Sequence, residues 1–121
     1  MCKRDDRGFI IDLDESEILV FGSNVEGHHA GGAARQAYEQ FGAEWGIGAG
    51  LTGQCYAIPT MGGLDEIQHY VRQFIRVAEL LPQYEFLLTP VGTGIAGYSA
   101  DQIAPLFADA PSNVVRPEDW R

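Results

Sequence analysis

Residues 86–98 read Phe-Leu-Leu-Thr-Pro-Val-Gly-Thr-Gly-Ile-Ala-Gly-Tyr, an apolar run that breaks into three glycines at G-x-G-x-x-G spacing. Ser99 follows, with Gln102 three residues later, the capping-box pattern of a helix start. A strand, a glycine loop and a helix N-terminus in that order make an anion site. The glycines let backbone N–H groups approach a phosphate, and the helix end adds partial positive charge.

Outward from this loop, apolar runs alternate with helical patterns. Phe9-Ile10-Ile11 is a candidate edge strand within a charged N-terminal extension, residues 1–16. Ile18-Leu19-Val20-Phe21 is a continuous apolar run, as expected of a strand buried on both faces, stopped by Gly22-Ser23-Asn24. A second glycine-rich loop through Gly27, Gly31 and Gly32 feeds a helix with Ala33, Ala34, Ala37, Tyr38 and Phe41 as its apolar stripe and Gly42 as its stop. Residues 46–53 hold four glycines and read as loop; Cys55-Tyr56-Ala57-Ile58 reads as strand, ended by Pro59-Thr60-Met61-Gly62-Gly63. From Leu64 to Leu81, Ile67, Tyr70, Val71, Phe74, Ala78 and Leu81 share one helical face, with Asp65 and Glu66 in the first turn and Pro82 beyond the end. Tyr84 to Val91 reads as the central strand. A helix from Ser99 to about Ala108 and a short strand at Asn113-Val114-Val115 complete the chain. The pattern is that of an α/β domain over residues 1–121 whose sheet is covered on both faces, with ligands expected at the carboxyl ends of strands.

Composition bounds the partner. The chain has 8 basic residues against 17 acidic ones in 121, a formal net charge of −9. A phosphate would have to be held largely by backbone, which points to a small phosphate-bearing molecule and away from nucleic acid, whose backbone is held mainly by Lys and Arg. No apolar stretch approaches the roughly 20 residues of a membrane span, and the acidity disfavours anionic membrane surfaces. The N-terminal Met-Cys-Lys-Arg-Asp-Asp has no apolar stretch behind it, so no signal peptide is expected. Cys2 and Cys55 read as reduced thiols of a cytoplasmic protein.

Three readings of Gly92–Gly97 compete. One is a tight turn that needs glycine for backbone reasons only. Another is a dinucleotide fingerprint, which fails because the chain ends 24 residues after Gly97 without a full following unit. The third joins it to the loop at Gly22–Ala33, so that two glycine loops at one sheet edge flank a single ligand. Here the chain resembles the macro domain family, which binds ADP-ribose and its derivatives. Thr93-Gly94-Ile95-Ala96-Gly97-Tyr98 looks like that family's second ligand loop, and Asn24 to Ala37 looks like its first, with Asn24 seven residues before Gly31. The chain is also similar to compact stand-alone macro-like proteins of phages and bacteria, over roughly residues 17–120.

The resemblance implies a three-layer α/β/α fold with a mixed central sheet. It implies that Gly92, Thr93, Gly94, Ile95, Ala96 and Gly97 cradle a diphosphate while Asn24, Gly31, Gly32 and Tyr98 hold the distal ribose. Departures accompany it. The family's adenine-reading aspartate has no counterpart at the expected place, leaving Asp12 and Asp14 as candidates. Its first asparagine falls on Phe21, the acid of several hydrolytic members on Ala34, and the aromatic of the second loop on Ala96.

The expected function is binding, with possible sequestration, of ADP-ribose or a nucleotide signal derived from it. The alternatives are an ADP-ribosyl hydrolase and a protein-interaction module. No residue is assigned as catalytic; His28 and His29 in the first loop are the candidates, and with no third ligand at metal spacing neither a metal nor a cofactor is expected. Cys55 reads as a small core residue, and Trp45 and Trp120 as anchors of a loop and of the C-terminal tail.

Overall fold

The computed structural model describes residues 3–4, 10–24, 26–27, 32–94 and 96–120. Its main sheet holds five strands in the order β4-β5-β3-β6-β7: β3 (Glu17–Ser23), β4 (Gly50–Thr52), β5 (Cys55–Pro59), β6 (Glu85–Leu88) and β7 (Val114–Val115). β5, β3, β6 and β7 run parallel and β4 pairs antiparallel with β5, so the sheet is mixed. Helices α1 (Gly32–Gln40), α2 (Leu64–Leu80) and α3 (Ala100–Ile103) complete an α/β fold.

Strand alternation sorts the apolar runs into two cores. Ile18 and Val20 of β3, Tyr56 and Ile58 of β5, and Phe86 and Leu88 of β6 share one face with Ile67, Val71, Phe74 and Ala78 of α2. Leu19, Phe21, Cys55, Ala57 and Leu87 share the other with Ala34, Ala37 and Phe41 at α1. Successive side chains of a strand point to opposite faces, so only a strand covered on both sides has to be apolar at every position. Trp120 is buried and its ring lies 6.0 Å from that of Phe107, which anchors the C-terminal segment as the sequence leads one to expect. Trp45 is half exposed, and its ring stands edge-on to that of Tyr38 at 5.4 Å.

Four elements depart from expectation. The central strand is β3; β6 lies beside it with β7 outside, because β7 supplies a parallel partner on the outer edge. Residues 50–52, expected as loop, form β4, turned back onto β5 through Gly53-Gln54 with Gly53 at φ +56°. Glycine at the first position of a two-residue turn is what such a hairpin requires. The N-terminal strand is β2 (Ile10–Asp12), paired antiparallel with β1 (Lys3–Arg4) in a separate ribbon instead of on the edge of the main sheet. The last helix is only four residues long and passes into a 3-10 segment, Ala104–Phe107. Pro105 has no N–H to return to Asp101 and its ring crowds that carbonyl, so an α-helix cannot continue through it.

The long helix α2 matches its expected span within a residue. Its C-terminal end is held by a group the sequence did not advertise: the Asn113 side-chain amide reaches the carbonyls of Ala78 (2.9 Å), Leu81 (3.2 Å) and Tyr84 (3.1 Å). One amide thereby braces the turn that ends the helix, adding to the bonds that Leu81 N–H gives Ala78 O (3.3 Å) and Tyr84 N–H gives Leu81 O (3.1 Å). It also ties the helix end to the start of β6, where Phe86 N–H donates to Asn113 O at 2.8 Å.

Candidate functional site

The two glycine loops leave the carboxyl ends of β3 and β6, which are adjacent and parallel, with Val20 opposite Leu88. From β3 the chain passes through α1 towards β5; from β6 it passes through α3 towards β7, on the other side. The connections diverge between these two strands. In an open α/β sheet that divergence leaves a crevice, and ligands bind there.

Threonine and proline end β6. Thr89 sends both its N–H (3.1 Å) and its hydroxyl (2.7 Å) to Val20 O, and Pro90 then removes the next donor. The loop folds on itself: Thr93 Oγ1 donates to Pro90 O at 2.7 Å, Gly97 N–H to Gly94 O at 3.0 Å, and Tyr98 N–H to Gly92 O at 2.9 Å. Gly92 takes φ +78°, a conformation side-chain-bearing residues rarely adopt, and it has Ile103 Cδ1 3.2 Å from where a Cβ would sit. Among the described residues, the N–H groups of Gly92, Gly94 and Ala96 have no acceptor. Gly92 is itself buried. Buried backbone donors are nearly always paired, so a buried N–H without a protein acceptor is available to a water or a ligand.

The remaining expected site residues sort as follows. His28, His29, Gly31 and Ile95 lie outside the described residues. Gly32 opens α1. Asn24 is half-buried where the chain leaves β3, and its carbonyl accepts from Gly27 N–H (3.0 Å) and Ser23 Oγ (3.1 Å). Tyr98 packs against the α2-side core, and its hydroxyl donates to Gly62 O at 2.8 Å, pinning the loop after β6 to the loop after β5. That proton is therefore committed within the chain. The Thr93 hydroxyl proton is committed in the same way. Asp12 and Asp14 precede β3 at its amino end; a strand of seven residues places Asp14 about 20 Å from the loops. Asp14 therefore does not belong to this edge of the sheet, and Asp12 ends β2 in the separate ribbon.

Ser99 and Gln102 make the expected cap, with Ser99 N–H donating to Gln102 Oε1 at 2.9 Å. The helix they start is too short to carry much of a dipole, so backbone N–H groups are left as the loop's main attraction for an anion. At the N-terminus of α2 the Glu66 carboxylate lies beside Gly62, and its charge disfavours a second anion there. Two shallow depressions of about 310 and 390 Å³ lie elsewhere, around Arg116, and include no residue of the glycine loops. Among the described residues there is no cluster of His, Cys, Asp or Glu able to hold a metal, and no helix long and apolar enough to cross a membrane.

Cys55 is a core thiol. It is fully buried on β5, its Sγ lies 3.3 Å from Phe41 O, and burial pushes its pKa up to about 12. The unfolded thiol ionises near 8.5. Above that value the folded state holds the proton more tightly than the unfolded state, so stability falls as pH rises between the two values. Between pH 9 and 10 this group alone removes about 1 kcal/mol, and Cys55→Ala removes that part of the slope. Urea midpoints measured across this range check it; an unchanged slope in the variant would assign the alkaline loss to other groups.

No family model, curated protein or solved structure matches the chain.

Proposed function

We propose that this chain is a single macro-like domain of three-layer α/β/α type that binds ADP-ribose, or a nucleotide signal derived from it, and sequesters it in the cytoplasm. The observation that carries the reading is the pair of glycine loops at the divergence of β3 and β6, with the N–H groups of Gly92, Gly94 and Ala96 lacking acceptors among the described residues. In a chain of net charge −9, such backbone donors are the natural holders of a diphosphate. Thr93, Gly94 and Ala96–Tyr98 follow β6 at that edge, which supports the reading. Ala34, at the position of the family's acid, is buried among the apolar residues between α1 and the sheet. Nothing at that position activates water, which favours binding over hydrolysis.

Ala96 leaves room where the family places a ring, so ligands carrying a group beyond the distal ribose are expected to bind at least as well as ADP-ribose itself. The test is thermal unfolding with ADP-ribose, cyclic ADP-ribose isomers, derivatives substituted on the distal ribose, NAD and AMP. A ligand at 100 times its Kd adds about 2.7 kcal/mol, a rise on the order of 5–10 °C for a domain of this size. The expected result is a rise with ADP-ribose or its derivatives, larger than with AMP. No rise with any of them would sink the reading and favour an interaction module whose glycine loops are structural.

A further inference from the structure

Thr60 is the residue directly after β5, and it is 4% exposed. Its N–H donates to Ser23 O at 2.9 Å, which seats it against the end of β3. Its hydroxyl has no hydrogen-bond partner among the described residues. A buried hydroxyl without a partner is costly and rare. A Cβ built on Gly22 would lie 3.2 Å from Thr60 Oγ1 and 3.5 Å from Gly92 N. Gly22, half-buried and outside the left-handed region, therefore lies against two donors at once, the Thr60 hydroxyl and the unpaired N–H of Gly92, and a side chain there would crowd both.

We propose that Thr60, Gly92 and the missing side chain of Gly22 form a niche for one phosphoryl oxygen at the ends of β3, β5 and β6. This assigns to the diphosphate a side-chain donor where the loop alone supplies backbone; the assignment rests on the nucleotide reading above. Two neutral donors this close together without acceptors call for one, and an anionic oxygen gains most, because hydrogen bonds to charged groups are about twice as strong as neutral ones. The other two loop donors, on Gly94 and Ala96, follow Gly92 in the chain and are placed to serve further oxygens of the same ligand.

The test is calorimetric titration of the whole chain with ADP-ribose and, separately, with inorganic pyrophosphate. Thr60→Val is expected to bind about tenfold more weakly than the parent, with a ligand-free Tm equal to or above it, because the methyl replaces a hydroxyl that had no partner. Thr60→Ser keeps the donor and retains most of the affinity. Gly22→Ala fills the niche and is expected to weaken binding more than Thr60→Val. If Thr60→Val binds as the parent does while Gly94→Val does not bind, the niche is wrong and the nucleotide reading stands. If only pyrophosphate binds, and in a Thr60-dependent way, the niche stands and the nucleotide reading falls. A parent with no affinity for either probe overturns both. A Thr60→Val that loses Tm but keeps its affinity shows that the hydroxyl holds a structural water, which also overturns the niche.

Discussion

Gly94→Val is expected to abolish ADP-ribose binding, by 100-fold or more, while leaving the ligand-free Tm close to the parent's. The two halves of this result have separate causes. Gly94 is exposed, lies outside the left-handed region, and none of the described residues stands within 4 Å of the point where a Cβ would be placed. The chain itself accommodates a branched side chain there. A phosphate resting on the N–H groups of this loop does not, because the isopropyl group occupies the space the ligand needs. Gly92 would be a poor choice for this experiment, since its φ of +78° and its contact with Ile103 make any substitution a folding defect as well. Calorimetric titration paired with a melting curve separates the two effects. A folded Gly94→Val protein with unaltered affinity would remove the ligand from this loop.

Phe74→Ala is expected to cost about 3–5 kcal/mol, a large part of the 5–15 kcal/mol that a domain of this kind has in total. Phe74 is fully buried on α2, and its ring lies 5.1 Å from Tyr56, 5.6 Å from Phe86 and 6.1 Å from Phe107. It thus joins β5, β6 and the 3-10 segment after α3 in one aromatic cluster. Removing it leaves a cavity whose walls belong to different elements and cannot all close in. The loop after β6 depends on the same packing, because Ile103 beneath Gly92 is part of that core. Ligand affinity in the surviving folded fraction is therefore expected to fall too. Urea unfolding followed by circular dichroism measures the loss; a drop below about 1 kcal/mol would mean that α2 does not seat on this face of the sheet.

Much of the fold was legible because burial on two faces leaves a plain mark. The runs at 18–21, 55–58 and 86–88 are apolar at every position, and α2 repeats its apolar residues on one face. What escaped depends on partners distant in sequence. β4 is legible only once Gly53-Gln54 is recognised as a hairpin turn, since a three-residue run that opens on glycine is too short to show a strand pattern of its own. Asn113 is an ordinary loop residue until the end of α2 lies beside it. The capping box at Ser99 is legible, whereas the helix it starts ends at Ile103 because Pro105 cannot continue the α-helical hydrogen bonding.

The candidate site divides along the same line. Sequence by itself determined the alternation of strands and helices, the two apolar faces of the sheet, and the two glycine loops placed between a strand and a helix. Each of these is local, written in spacing and in residues whose backbone preferences act over a few positions. Only the tertiary structure decided that β3 is the central strand, that both loops leave from adjacent parallel strands whose connections diverge, and that Asp14 stands at the opposite end. It alone brought Thr60 against Gly22 and Gly92, and committed the hydroxyls of Tyr98 and Thr93 to carbonyls of the chain itself. The physical reason is that strand order and the satisfaction of polar groups are set by contacts between residues tens of positions apart. No local pattern states which hydroxyl will find a partner and which will be left to hold something else.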